Sequence, residues 1–162
     1  MKRKALLLLW YGAPRQNPSF IDKICRFDPR NREFLIRRDK ETGRYGFISF
    51  DLLPGESVMA GLRRQENFTS QAFKREWREL GRFPHVFGDE PCEMLVGDLL
   101  VHSTQRLADF QEDNTGQPLL WENYRWLCAK QQDDLLDTVS GIALCLDSVR
   151  NFFQGEREAL PA

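Results

Sequence analysis

The residue types that carry nucleophilic, acid–base or metal chemistry are sparse in this chain. It has two histidines and four cysteines. A Cys/His site would take Cys92 as nucleophile, His85 or His102 as base and Asp98 as the group that orients the base. The spacing adds nothing to that set beyond the right types, because such groups need spatial rather than sequential proximity. The cysteines are Cys25, Cys92, Cys128 and Cys145, and no two stand in a CxxC pair. There is no HExxH, no EF-hand loop, no P-loop and no GxGxxG after a strand. The adjacent carboxylates Asp89-Glu90 and Glu112-Asp113 diverge on any regular element, so they read as solvated loop charges. The sequence therefore predicts no catalytic residue, no metal ligand and no cofactor, and a chain that is not an enzyme.

Charge is the next signal. The net charge is −1, yet residues 1–81 carry +7 and residues 82–162 carry −8. Acidic positions gather at Asp109, Glu112, Asp113, Asp133, Asp134 and Asp137. Such a cluster suits a surface that covers a basic partner. The basic half holds Arg37, Arg38 and Arg44, which suit anions. The two halves also neutralise each other if the fold brings them together.

One segment carries a pattern. Gly43-Arg44-Tyr45-Gly46-Phe47-Ile48-Ser49-Phe50 resembles the RNP1 strand of RNA-recognition motifs, with its first two positions inverted. On an alternating strand Tyr45 and Phe47 share a face, as base stacking requires. The resemblance implies a single-stranded nucleic-acid binder that uses Arg37, Arg38, Arg44, Tyr45 and Phe47. The alternative places Tyr45 and Phe47 under the C-terminal helices.

The elements that must position these residues follow from periodicity. Lys4 to Tyr11 is a continuous apolar run and predicts a central strand buried on both faces. Ser19 caps a short helix with Phe20, Ile24 and Phe27 on one face. Phe34–Ile36 and Tyr45–Leu53 flank a turn at Asp39–Gly43 and predict a hairpin. Phe73, Trp77 and Leu80 predict a helix over 70–80 that ends at Gly81. A loop carrying Pro84, His85, Gly88 and Pro91 leads to a strand over 93–102. Pro118 opens a helix over 119–130. Residues 133–153 place Leu135, Val139, Ile142, Leu146, Val149 and Phe153 on one seam, read as a core helix or as the contact of a homodimer.

The expected fold is α+β: a small, mostly antiparallel sheet, of ferredoxin-like βαββαβ order if the hairpin resemblance holds, packed against C-terminal helices. It is read as one domain over 1–162, strand-rich in 1–102, helical in 103–154, with a flexible tail over 155–162. The apolar fraction of 41% and charged fraction of 29% exclude wholesale disorder. Lys2-Arg3-Lys4 before the apolar run imitates a signal peptide but lacks a small-x-small cleavage site. No run approaches a membrane span, so the expected location is the cytoplasm, with thiols free. The functional expectation is a non-catalytic protein-binding module of inhibitor, toxin-immunity or regulatory type, with another protein as partner. The nucleic-acid binder is the alternative, and a Cys/His enzyme the third reading.

Overall fold

A computed structural model describes residues 1–11, 33–66, 77–87, 89–101, 112 and 115–159. Six strands and four helices are defined within them. In chain order they are β1 (Lys2–Tyr11), β2 (Glu33–Arg38), β3 (Tyr45–Leu52), α1 (Val58–Glu66), β4 (Arg78–Phe87), β5 (Glu90–Val101), β6 (Leu119–Asn123), α2 (Tyr124–Gln132), α3 (Thr138–Cys145) and α4 (Asp147–Ala159). The strands form one sheet in the order β4-β5-β1-β3-β2-β6.

β1 is the centre of that sheet. It pairs in parallel with β5 along its whole length, from Lys2 opposite Cys92 to Tyr11 opposite Val101, and antiparallel with β3. Its unbroken Leu6–Leu9 run is fully buried. Leu7 and Leu9 enter one core, with Ile48, Phe50, Val58 and Leu62. Leu6 and Leu8 enter the other, with Phe34, Phe47, Leu127, Leu144, Val149 and Phe153. The sheet is thus covered by α1 on one face and by α2, α3 and α4 on the other. A strand that must be apolar on both faces cannot alternate, which is why its pattern is continuous.

The fold is α+β, as expected, but the sheet is larger and mixed, and its order does not reproduce the βαββαβ arrangement. Three local readings also change. Arg78–Leu80 belong to β4, not to a helix, and Gly81 sits at a register irregularity between β4 and β5. Strand pairing with β5 overrides the helical spacing of Trp77 and Leu80. Leu119–Asn123 form β6, with Trp121 opposite Leu35, before α2 starts at its cap Asn123. The predicted helix over 133–153 is broken at Leu146, whose ψ of 138° is extended, and gives α3 and α4. Val149 and Phe153 from that seam are buried in this chain's own core, whereas Leu135 is exposed and its neighbour Leu136 is buried instead. The hairpin is present, with Gly43 at φ 71°. The Ser19 helix and most of the predicted 70–80 helix lie outside the described residues. No helix among them is long and apolar enough to cross a membrane.

Candidate functional site: the groove at the start of α3

Residues 135–137 pair with the first residue of β3 through a parallel bridge between Tyr45 and Leu136. The Tyr45 amide donates to the Leu135 carbonyl at 2.8 Å, and the Asp137 amide donates to the Tyr45 carbonyl at 2.7 Å. Asp137 then caps α3, its carboxylate accepting from the Ser140 amide at 2.7 Å. Ser140 is fully buried, and its hydroxyl accepts from the Phe47 amide at 2.9 Å. This approach needs Gly46, since a β-carbon there would overlap the Asp137 carboxylate.

A groove opens where α3 begins. One part, of about 310 Å³, is lined by Arg37, Asp39, Thr42, Arg44, Asp137 and Thr138. It shares Arg44, Asp137 and Thr138 with a larger part of about 660 Å³, whose apolar wall is Leu136, Ile142 and Leu146. Both volumes fall within the range of small-molecule sites. Arg44 is held in place by the Asp134 carbonyl at 2.7 Å, the Leu136 carbonyl at 3.1 Å and the Asp134 carboxylate at 3.3 Å. Asp134 adopts φ 56° to make that turn. Burial pushes the Asp137 carboxyl above its ordinary value; the Ser140 N–H and the nearby Arg37 and Lys4 cations oppose the shift without cancelling it. The groove thus sets a carboxyl with a raised pKa in the same lining as the Arg37 and Arg44 guanidinium groups, and perturbed groups of this kind gather at functional sites.

The groove collects residues that the sequence assigned to opposed surfaces. Arg37 and Arg44 come from the basic set, and Asp134 and Asp137 from the acidic set. Asp133 caps the end of α2 nearby. Glu112 is exposed and bridges to Pro118, and Asp109 and Asp113 lie outside the described residues. Arg38 is exposed and stands over the Tyr45 ring at 6.0 Å.

The RNP1-like reading is corrected by burial. Phe47 is 1% exposed and packs edge-on against Phe34. Tyr45 packs against Trp126 at 4.8 Å, with Lys130 over both rings. The tyrosine–glycine–phenylalanine pattern serves helix docking, not base stacking.

The Cys/His reading fails on chemistry. His85 stands opposite Cys92 in the β4–β5 register, in a strand and not a loop. Its ring packs on Phe87 at 4.6 Å. Burial pushes the Cys92 thiol up, whereas a nucleophilic cysteine needs it lowered. Asp98 is spent on structure: it is fully buried and accepts from Arg78 at 2.8 and 3.0 Å and from the Trp10 indole at 2.9 Å. His102 lies outside the described residues.

A second charged cluster surrounds the entrance to α1. Glu56 accepts from Arg64 at 2.8 Å through both oxygens, and Arg64 holds it down to about 2. Arg3 donates to the Leu53 and Glu56 carbonyls at 3.1 Å. Lys2 and Lys4 pair with Asp51 at 3.3 and 3.0 Å. These carboxylates are engaged by cations. Among the described residues no group of three His, Cys, Asp or Glu is gathered that could hold a metal ion. The described donor set therefore does not fit a resident divalent cation.

Comparison with known proteins places the fold. No family profile and no curated protein matches the sequence. Among solved structures, the chain is similar to a Caenorhabditis elegans Ap4A hydrolase in a binary complex, with a TM-score of 0.55 and 13% identity over 96% of this chain and 99% of that one. It is equally similar to a NUDIX hydrolase from Nitrosomonas europaea, with a TM-score of 0.55 and 14% identity over 99% of this chain and 96% of that one. The chain has the fold of NUDIX hydrolases. This overturns the expectation of a non-catalytic inhibitor or immunity module and of a chain that is not an enzyme: the architecture matched end to end is that of hydrolases.

The sequence singled out Arg37, Arg44, Asp134 and Asp137 but carried no signal that they meet. The groove's parts come from the hairpin and from a turn some 90 residues later, and only the fold joins them.

Proposed function

We propose that the chain is a hydrolase acting on a phosphate-bearing nucleotide, for which Ap4A is the first substrate to test. The observation that carries the reading is the likeness to two hydrolases over nearly the full length of all three chains. The groove at the start of α3 supplies the groups such a reaction uses. Water attacks phosphorus, an oxygen–phosphorus bond forms, and the anhydride bond to the leaving phosphate breaks. Asp137 takes the proton from the water. Arg37 and Arg44 stabilise charge on the phosphoryl oxygens. Arg44 reaches that position already oriented by Asp134 and Leu136, so little ordering cost falls on the reacting complex.

The experiment is incubation of the full chain with Ap4A and chromatography of the nucleotide products, with and without an added divalent cation. Time-dependent cleavage supports the reading. No cleavage of Ap4A or of simple nucleoside polyphosphates under either condition overturns it.

A further inference from the structure

We infer that Gln131 is a specificity residue of the groove, one that selects nucleotides whose base donates through an exocyclic amino group. Gln131 stands in the last turn of α2 and lines the larger part of the groove. Its carboxamide nitrogen donates to the Gly141 carbonyl at 3.0 Å and to Cys145 Sγ at 3.5 Å. A carbonyl oxygen can only accept, so the nitrogen and oxygen of this amide cannot be exchanged. Its two N–H donors are thereby committed to α3. Among the described residues no group donates to Gln131 Oε1. What Gln131 offers a ligand is therefore an acceptor alone.

The lining of the groove puts the base, not the phosphate, beside that acceptor. Arg37, Arg44, Thr42 and Thr138 line the smaller part and suit an anion. Arg44 and Thr138 also line the larger part, of about 660 Å³, which continues along Leu136, Ile142 and Leu146. That apolar surface is one on which a flat ring packs. Gly141 leaves this wall open, since a β-carbon built on it meets only Gln131 Nε2, at 4.0 Å. An amino group on the base then donates to Oε1. A base that lacks the amino group covers Oε1 and leaves it unpaired, which is how a site rejects an analogue without the donor. The inference rests on the proposed hydrolase for its nucleotide and adds which bases the groove accepts.

The test is calorimetric titration of the full chain with AMP and with purine riboside 5′-monophosphate. The two differ only in the amino group, and neither has an anhydride bond for the proposed reaction to cleave. AMP should bind about tenfold tighter. In Q131M, which keeps the length of the side chain and removes the acceptor, the two should bind alike. A residue that merely tied α2 to α3 would shift both affinities together and leave their ratio unchanged. Gly141→Leu, which fills the space beside Gln131, should weaken both nucleotides. Equal affinities in the wild type, a preference that survives in Q131M, binding untouched by Gly141→Leu, or no binding of either nucleotide overturns the inference. The hydrolase reading fails separately, on cleavage: a preference for AMP without Ap4A cleavage sinks the hydrolase alone, and Ap4A cleavage with equal affinities sinks the inference alone.

Discussion

Gly46 lies directly under Asp137, so close that a β-carbon on the one would overlap the carboxylate of the other. In an open strand, alanine in place of glycine gains stability, because glycine loses more backbone freedom on folding. Here the sign should reverse. Gly46→Ala must push Asp137 and Ser140 away, and overpacking of this kind costs about 1–3 kcal/mol. Urea denaturation of the two proteins reads the difference. A more stable alanine variant would mean that α3 does not dock on β3 as described.

Asp137 makes stability depend on pH in a particular direction. Its folded-state pKa is raised, so its protonated form favours folding and that contribution is lost as pH rises through the folded value, above the ordinary 3.8. Asp137→Asn cannot titrate, and asparagine caps helices about as well as aspartate. The wild type should therefore lose stability relative to D137N as pH rises from about the ordinary carboxylate value. Parallel melting-temperature profiles across pH 4–8 would show no such burial on the aspartate.

Glu56 works the other way. Arg64 depresses its carboxyl from 4.5 to about 2, so its contribution is present above the ordinary value and lost as pH falls toward about 2. Glu56→Gln should flatten the acid limb of the stability curve between those values. An unchanged acid limb would show that the Glu56–Arg64 pair is not formed in solution.

Asp98 anchors the β1–β5–β4 side of the sheet. Asp98→Ala removes a buried acceptor from the Trp10 indole and from Arg78. Arg78 is 40% exposed and can turn to water, so most of the cost falls on the indole and on the cavity. A loss of about 3 kcal/mol is expected, within the range for buried hydrogen bonds to charged groups. Chemical denaturation measures it, and a loss below about 1 kcal/mol, the size of an exposed ion pair, would contradict the burial.

The sequence was most legible where one physical constraint acted alone. The β1 run announced a central strand because both faces must be apolar, and the β2–β3 hairpin announced itself through Gly43. It misled where tertiary pairing competes with local spacing, as at Arg78–Leu80 and Leu119–Asn123. It also misled at Tyr45-Gly46-Phe47, where a pattern suited to base stacking is equally suited to a helix lying on the strand. The halves of opposite charge were visible, but their meeting in Arg44 and Asp134 was not. The groove was illegible for the same reason: its arginines and its carboxylates come from distant segments that only the sheet brings face to face.

The measurement that bears most directly on the proposed hydrolase is the rate of Ap4A cleavage by D137N beside the wild type, with the melting temperature of each at the same pH. Asparagine keeps the cap and removes the base. A fall of about 10²–10⁴-fold in rate with the fold intact is expected for loss of a general base. Equal rates in the two proteins, with both folded, would contradict the assignment of the reaction to this groove.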